Sequence, residues 1–173
     1  MRIRPLPALA ALALLGPFFL TVPCAYADES EEREEAPVVE IGALSEWPTN
    51  GGAANAGGAV GFEATVIQDW LEIELGAAAL GTSGHTEFSG DLIFKKPFHL
   101  SPTTDFMLGI GPMIRKTLSG PDQGIAHGAE VDFDFMFWPR KELGWYVQPA
   151  WSLIPRNGEQ SVGINVGVLI RVR

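Results

Sequence analysis

Apolar and polar side chains alternate along almost the whole chain from Val38 onward, and this pattern limits the possible folds more than any other feature. A period of two places successive side chains on opposite faces, which is the geometry of a β-strand and not of a helix. The pattern predicts eight strands, at 38–44, 59–67, 70–80, 86–95, 105–115, 128–138, 144–154 and 160–172. No amphipathic helix pattern separates them, so we expect an all-β chain.

The lengths and the number of the strands favour a closed barrel. Most have 9 to 13 residues, close to the ~9–11 that a tilted strand needs to cross the apolar core of a membrane. An even number of antiparallel strands can close without leaving an edge, and backbone edges cannot lie in lipid. The sequence therefore predicts an antiparallel up-and-down eight-stranded transmembrane β-barrel over residues 38–173.

The two faces of the predicted strands differ in character. One face is apolar and uncharged, as in Leu71, Ile73 and Leu75 or Phe133 and Phe135. The other is rich in glycine and carries Glu40, Glu63, Glu72, Glu74, Glu87, Asp91, Lys95, Arg115, Glu130, Asp132, Asp134, Gln148, Asn165 and Arg171. This contrast makes it possible to ask which face is inside.

The size of the apolar side chains and the cost of placing charges in lipid indicate the same orientation of the two faces. Bulky residues from every strand would overfill an eight-stranded barrel, whose interior is only just wide enough for its side chains. A charge on the lipid side would cost about 2–4 kcal/mol near the bilayer midplane. We therefore expect the apolar face to meet lipid and the polar face to line the lumen. Aromatic residues near predicted strand ends resemble interfacial girdles, namely Trp47, Trp70, Phe98, Trp138, Trp145 and Tyr146.

The first 37 residues are unlike the rest. A basic start, an apolar run from Leu6 to Val22 and the small-x-small triplet Ala25-Tyr26-Ala27 predict a secretory signal peptide over 1–27 that is cleaved near Ala27 and removes Cys24. A membrane-anchoring helix is the alternative. Residues 28–37 read DESEEREEAP and predict an acidic flexible segment. Cleavage moves the formal net charge from −9 to −11, which argues against nucleic acid as a partner.

Turn-forming residues separate the strands. Residues 68–69, 81–84 and 156–158 suit tight hairpins, whereas 49–58 and 118–124 are longer Gly-rich loops. If both termini face the periplasm, the two long loops point outward, as is usual for such barrels. The predicted link at 96–104 is long for a periplasmic turn.

The chain resembles the small outer-membrane β-barrels of the OmpA/OmpX type and a broad set of uncharacterised outer-membrane barrels. The resemblance covers 38–173 and is carried by HGAEVDFDFMFWP (127–139), GWYVQPAW (144–151) and the final strand. In that strand Asn165, Gly167, Ile170 and Val172 match the spacing of a barrel assembly signal, although Arg173 follows where an aromatic residue is usual. The resemblance implies the fold and an outer-membrane location, but it does not imply an activity. We expect outer-membrane lipid and, through the C-terminal strand, the barrel assembly machinery as partners, and we expect a monomer.

The charged residues of the predicted lumen indicate ion pairs and also an excess of acidic over basic side chains. Three ion pairs are predicted, Glu40 with Arg171, Lys95 with Asp105, and Arg115 with Glu130. An acidic cluster is predicted from Glu63, Glu72, Glu74, Asp91, Glu130, Asp132 and Asp134, centred on Glu72, Glu74, Asp132 and Asp134. Two interpretations remain open, a hydrated polar plug in a structural barrel and a minor cation-permeable pore, because acidic rings favour cations.

Three other functions are weaker candidates. A lipid A-modifying enzyme could use the His-x-Ser pair of His99 and Ser101, but this pair falls in a predicted periplasmic turn. An adhesin-like barrel would bind through the loops at 49–58 and 118–124, whose small residues make poor anchors. A soluble lipocalin-like carrier would turn its apolar face inward. We expect no catalytic residue, cofactor or metal, since no Walker, dinucleotide or zinc motif occurs.

Overall fold

The computed structural model describes residues 36–82, 85–119, 124–156 and 158–172, which belong to one compact unit. The predicted signal peptide and most of the predicted acidic segment lie outside these ranges. The strands are β1 Val38–Pro48, β2 Asn55–Ile67, β3 Leu71–Thr82, β4 His85–Ser101, β5 Thr104–Ser119, β6 Gly124–Phe137, β7 Leu143–Ile154 and β8 Glu159–Arg171. No helix in this part of the chain is both long and apolar enough to cross a membrane.

The eight strands form a closed barrel in which each strand pairs with its sequence neighbours, and this confirms the predicted topology. Every pairing is antiparallel. The barrel closes where β1 pairs with β8, from Val38 opposite Arg171 to Pro48 opposite Ser161. A closed ladder satisfies the backbone hydrogen-bonding groups without using water.

We name the two ends of the barrel by what they carry. The terminal end carries residues 36–37 and 172 and the links at 68–70, 102–103 and 138–142. The loop end carries the link at 49–54 and the other three connections. In the first of the terminal-end links, Asp69 adopts a left-handed φ of 55°, and the Trp70 amide donates to the Ile67 carbonyl over 3.0 Å.

Two links are shorter than the sequence predicted. The predicted link at 96–104 is wrong, because β4 continues to Ser101 and leaves only residues 102–103 between β4 and β5. Pro97 resembles a strand terminator, yet it pairs with Met107, and His99 pairs with Asp105. The loop predicted at 49–58 is reduced to 49–54, because β2 already begins at Asn55.

The distribution of apolar side chains is inverted relative to a water-soluble domain. Among the described residues, 28 large hydrophobic side chains are exposed and 11 hydrophobic residues are buried. The exposed set includes Leu75, Phe94, Leu108, Ile110 and Phe133, which the alternation assigned to the outside. The buried set of polar residues includes Glu40, Lys95, Asp132 and Asp134. The predicted orientation of the two faces is confirmed.

The predicted aromatic girdle is correct only in part. Trp47, Trp70 and Phe98 are exposed near strand ends, and Trp145 stacks on Phe137 with ring centroids 4.0 Å apart. Trp138 and Tyr146 were wrongly assigned to this girdle, because both are buried inside the barrel. Tyr146 lies on β7 opposite Gly167 of β8, where the absent side chain leaves room for its ring.

Candidate functional site

The centre of the lumen is occupied by the ammonium group of Lys95. Its Nζ lies 2.9 Å from a carboxylate oxygen of Glu63, 2.9 Å from one of Asp134 and 4.0 Å from one of Glu40. It also contacts Glu74. Lys95, Glu40, Glu63 and Asp134 are each exposed by 1% or less. We call Lys95, Glu40, Glu63, Glu74 and Asp134 the Lys95 network.

The strand pattern explains why these groups meet. Lys95 points inward by alternation on β4, and the four carboxylates come from β1, β2, β3 and β6. The network therefore connects five of the eight strands across the lumen. Gly109 lies opposite Lys95 on β5 and leaves space for its alkyl chain, because a Cβ at Gly109 would be 3.2 Å from Lys95 Cγ.

A second charged layer lies nearer the loop end. Arg115 Nη2 lies 2.5 Å from Glu46 Oε1, and its Nη1 lies 3.3 Å from Glu159 Oε1. Arg115 Nε lies 4.0 Å from Glu87 Oε2. The Ser161 hydroxyl donates to Glu46 and lies 2.8 Å from the Ser152 hydroxyl. We call Arg115, Glu46, Glu87 and Glu159 the Arg115 network.

An apolar cluster that the sequence analysis did not predict lies at the terminal end of the lumen. It consists of Val38, Met107, Met136, Trp138, Tyr146 and Leu169. Beside it, the Arg171 guanidinium lies 3.8 Å from the Trp138 ring and donates to the Lys141 carbonyl over 2.8 Å. The lumen is therefore packed by side chains of different character at different depths.

An acidic cavity of about 60 Å³ lies between the two networks. Its lining includes Glu40 and Glu74 from the Lys95 network, Arg115 and Glu46 from the Arg115 network, and Asp91, Glu130, Asp132, Gln148 and Asn165. Two amide side chains form a relay on its wall. Asn165 Nδ2 donates to Gln148 Oε1 over 3.3 Å, and Gln148 Nε2 donates to Asp132 Oδ2 over 3.2 Å.

The acidic residues predicted as one cluster are distributed over three places. Glu63, Glu74 and Asp134 surround Lys95. Asp91, Glu130 and Asp132 line the acidic cavity, where Glu74 also contributes to the lining. Glu72 lies across the strand pair from Lys95 and lines a separate cavity near the terminal end.

The predicted ion pairs are not the ones that form, and the barrel register explains the difference. Glu40 lies opposite Leu169 and contacts Lys95, while Arg171 lies opposite Val38 and stacks on Trp138. Lys95 lies opposite Gly109, four positions from Asp105.

The third prediction fails for the same reason. Arg115 lies opposite Ala126, whereas Glu130 lies opposite Gly111. The sequence prediction also missed Glu46 and Glu159, because the first predicted strand ended at residue 44 and the last began at residue 160. Glu46 has the same parity as Glu40, so extending the alternation by one step would have placed it in the lumen.

His99 and Ser101 lie at the terminal end of β4, as the sequence position suggested. His99 Nδ1 lies 2.7 Å from Asp105 Oδ1, and its Nε2 lies 3.0 Å from Asp69 Oδ1. Ser101 Oγ accepts a hydrogen bond from the Thr103 amide. Both ring nitrogens of His99 thus face carboxylates, which ties the end of β4 to β5 and to the β2–β3 link.

One described trio of carboxylates converges closely enough to hold a bare metal ion. Ligand oxygens of Glu40, Glu63 and Asp134 lie within 4.8 Å of one another. The same three residues contact Lys95 Nζ, which occupies the position that an ion would take. The trio therefore acts as a set of partners for the lysine.

Comparison with known proteins supports the fold. No protein-family model and no curated protein matches the chain. Neisserial surface protein A is 13% identical, with a TM-score of 0.66 over 82% of this chain and 100% of that chain. OprG from Pseudomonas aeruginosa is 8% identical, with a TM-score of 0.60 over 82% and 98%.

The attachment invasion locus protein Ail of Yersinia pestis is 12% identical, with a TM-score of 0.56 over 80% of this chain and 99% of that chain. Identities this low carry information about the fold and not about activity. All of these barrels agree with the strand number and closure seen here. The chain has the fold of the small eight-stranded outer-membrane β-barrels.

Proposed function

We propose that this protein is an integral outer-membrane β-barrel with a structural role and a lumen closed to ions. The observation that carries the proposal is the Lys95 network, in which one ammonium group and four carboxylates from five strands are buried across the lumen. An ion passing through would have to break these contacts and also pass the apolar cluster. Buried charges of this kind are costly to separate.

We also propose that the barrel is located in the outer membrane. The exposed apolar exterior and the closed backbone ladder support embedding in lipid. The similar structures include a protein named as an outer membrane protein and one named as a surface protein. We propose export with cleavage near Ala27, assembly guided by β8, and a monomeric state, because a closed barrel offers no strand edge for pairing.

A minor cation-permeable pore is the second candidate. The observation in its favour is the surplus of carboxylates over cations in the lumen, since Asp91, Glu130 and Asp132 line the acidic cavity beyond the partners of Lys95 and Arg115. Acidic rings attract cations. Passage would require the Lys95 network to rearrange, so the two candidates differ in what a bilayer recording would show.

The first test is gel mobility of the washed outer-membrane fraction, boiled against unboiled in mild SDS. We expect a membrane-retained band whose mobility changes on boiling, because a closed barrel resists SDS until it is heated. A soluble band without a shift would contradict the membrane proposal.

The refolded barrel is then recorded in a planar bilayer beside a barrel of known conductance as a positive control. No steady conductance is expected, and steady cation-selective current would favour the second candidate.

A further inference from the structure

The outward face of the strands carries few charged side chains, and none of them is acidic. In the strands that the structure describes, every Asp and Glu falls on the inward positions of the alternation. The outward positions carry three titratable side chains, those of Lys96, Lys116 and His127. A cation on this face therefore cannot be paired by a carboxylate of the neighbouring strands.

Lys116 lies in apolar surroundings without a partner. It is exposed on β5, opposite Phe88 of β4 and Ile125 of β6, whose side chains are also exposed. The outward residues before and after it on β5 are the exposed Ile114 and Leu118. Lys116 makes no hydrogen bond or ion pair with any residue that the structure describes. Because a charge among apolar groups is unfavourable without a counter-charge, the ammonium group needs an anion from the surroundings of the barrel.

His127 places a second hydrogen-bond donor beside this lysine. It lies on β6 opposite Ile114, two residues after Ile125, so Lys116 and His127 are diagonal neighbours on the outward face. The Cβ atoms of such neighbours lie on the order of 7 Å apart, a span that one tetrahedral anion can bridge with two of its oxygens. His127 is exposed and, like Lys116, has no described hydrogen-bond or ion-pair partner. Its ring has an N–H group to donate in either protonation state.

The depth of Lys116 in the membrane indicates which anion it meets. Near the terminal end, the Phe106 ring lies 5.8 Å from the Phe98 ring and 4.9 Å from the Phe135 ring, measured between centroids, as in an interfacial aromatic girdle. Lys116 lies ten residues further along β5. At ~3.4 Å per residue and a strand tilt of ~35–45°, this is about 25 Å along the membrane normal, which is the height of the apolar band of such barrels. Lys116 therefore reaches the opposite headgroup level, where the phosphate groups of lipids supply negative charge.

We propose that Lys116 and His127 form a binding site for the phosphate group of a membrane lipid in the leaflet at the loop end. The proposal rests on the proposed outer-membrane location and deepens it, because it names the lipid chemistry that this part of the exterior binds. A phosphomonoester carries a charge of about −1.5 to −2 and three free oxygens, so it suits two donors better than a phosphodiester does. The acyl chains of the same lipid contact Ile114 and Leu92, which are exposed on the membrane side of the site.

The test is made on the full mature chain refolded in detergent micelles, with phosphatidic acid, a lipid that ends in a phosphomonoester, as the probe. Native mass spectrometry measures how much of this lipid the barrel binds, and phosphatidylcholine is titrated in parallel. We expect the wild-type barrel to bind one phosphatidic acid about tenfold more tightly than phosphatidylcholine, the factor that ~1.4 kcal/mol supplies. The reason is that phosphatidylcholine has fewer free phosphate oxygens and carries a cation of its own. The double variant Lys116→Gln with His127→Gln is expected to lose this preference.

The matched control is Lys96→Gln, which removes the other outward lysine. Lys96 lies near the terminal end, where its ammonium group donates to the Asp69 carbonyl. We expect this variant to bind phosphatidic acid as the wild type does. An equal loss in the control and in the double variant would overturn the proposal, because it would mean attraction by net charge and not binding at a site.

Inorganic phosphate distinguishes a lipid site from a site for a free anion. It lacks the acyl chains that contact Ile114 and Leu92, so we expect it not to displace bound phosphatidic acid. Displacement would overturn the assignment to a lipid. The proposal also fails if the wild-type barrel does not prefer phosphatidic acid, or if the preference survives the double variant.

The heat-dependent gel shift of the same samples separates this proposal from the proposed function. A barrel that shifts on boiling but has no lipid preference contradicts the phosphate site alone. A barrel that does not shift counts against the membrane proposal itself. Should the double variant fail to refold, Lys116→Gln alone replaces it, and a preference equal to that of the wild type would then contradict the site.

Discussion

A single lysine organises the centre of this lumen. Lys95 compensates four carboxylates that alternation brings to the same depth from different strands. Arg115 compensates the carboxylates of the layer near the loop end. Because each cation serves several acids, removing one leaves a group of buried like charges rather than a single unpaired partner.

Replacement of Lys95 by methionine should therefore destabilise the barrel strongly. Lys95→Met keeps most of the side-chain volume but leaves Glu40, Glu63, Glu74 and Asp134 without their common cation. Breaking a buried ion pair by removing one partner typically costs about 3–5 kcal/mol, and we expect a loss of this size in the free energy of unfolding. Urea-induced unfolding of the refolded barrel in lipid vesicles, followed by tryptophan fluorescence, measures it.

The neighbouring Lys96→Met is the matched control. Lys96 donates to the Asp69 carbonyl and lies 5.6 Å from the centroid of the Phe98 ring, away from the lumenal carboxylates. We expect a change of at most ~1 kcal/mol there, as for an exposed interaction. Equal effects of the two substitutions would mean that the lumenal carboxylates do not depend on Lys95.

The inward position of nearly all of these charges could be predicted from the sequence, but their partners could not. Alternation fixes the face of a residue within its own strand. Partners across the lumen also depend on the register of every strand between them. Lys95 and Asp105 flank the same link in sequence, yet Asp105 pairs with His99 and Lys95 reaches β1, β2, β3 and β6.

At the scale of single elements, the errors of the sequence prediction concern strand ends. The predicted fourth strand ended at residue 95, but the alternation continues through Phe98 and His99 to Ser101. The apolar cluster was missed for a related reason. Met107 and Met136 occur singly among glycines and acids on the inward face, and Trp138 and Tyr146 lie at strand ends where girdle residues are expected.

Glycine on the inward face controls how closely neighbouring strands approach. A Cβ at Gly111 on β5 would collide with the Leu92 carbonyl of β4. Gly111→Ala is therefore expected to lower the free energy of unfolding by about 1–3 kcal/mol, the usual cost of overpacking. Gly90→Ala, on the outward face of β4, is the control, because its Cβ would find the nearest atom, the Gly76 carbonyl oxygen, at 3.7 Å.

The same urea experiment reports both variants. Because a Cβ adds little strain at Gly90 and removes flexibility from the unfolded chain, Gly90→Ala should be neutral or slightly stabilising. If Gly111→Ala is tolerated as well as Gly90→Ala, the close approach of β4 and β5 at that position is not required for folding.

The properties of the whole barrel could be predicted from the sequence more completely than any single contact could. Strand number, chain order, closure and the orientation of the two faces all follow from the alternation and its solvation cost, and all are confirmed. Each of these properties is determined by many residues together, so an error of a few positions at one strand end does not change it. The depth-dependent filling of the lumen needs the three-dimensional register and could not be predicted in this way.

The inverted distribution of apolar side chains makes a depth-dependent prediction that distinguishes lipid from water as the surroundings. Ile110 lies near the middle of β5 and Leu118 near its end, and both point outward. In a bilayer, arginine costs about 2–4 kcal/mol at the midplane and about 0–1 kcal/mol near the interface. We therefore expect Ile110→Arg to destabilise the barrel in vesicles by about 2–4 kcal/mol, and Leu118→Arg by no more than ~1 kcal/mol. Urea unfolding in vesicles measures both, and equal, small effects would contradict a lipid-facing exterior, because on a water-facing surface the depth of the residue would not matter.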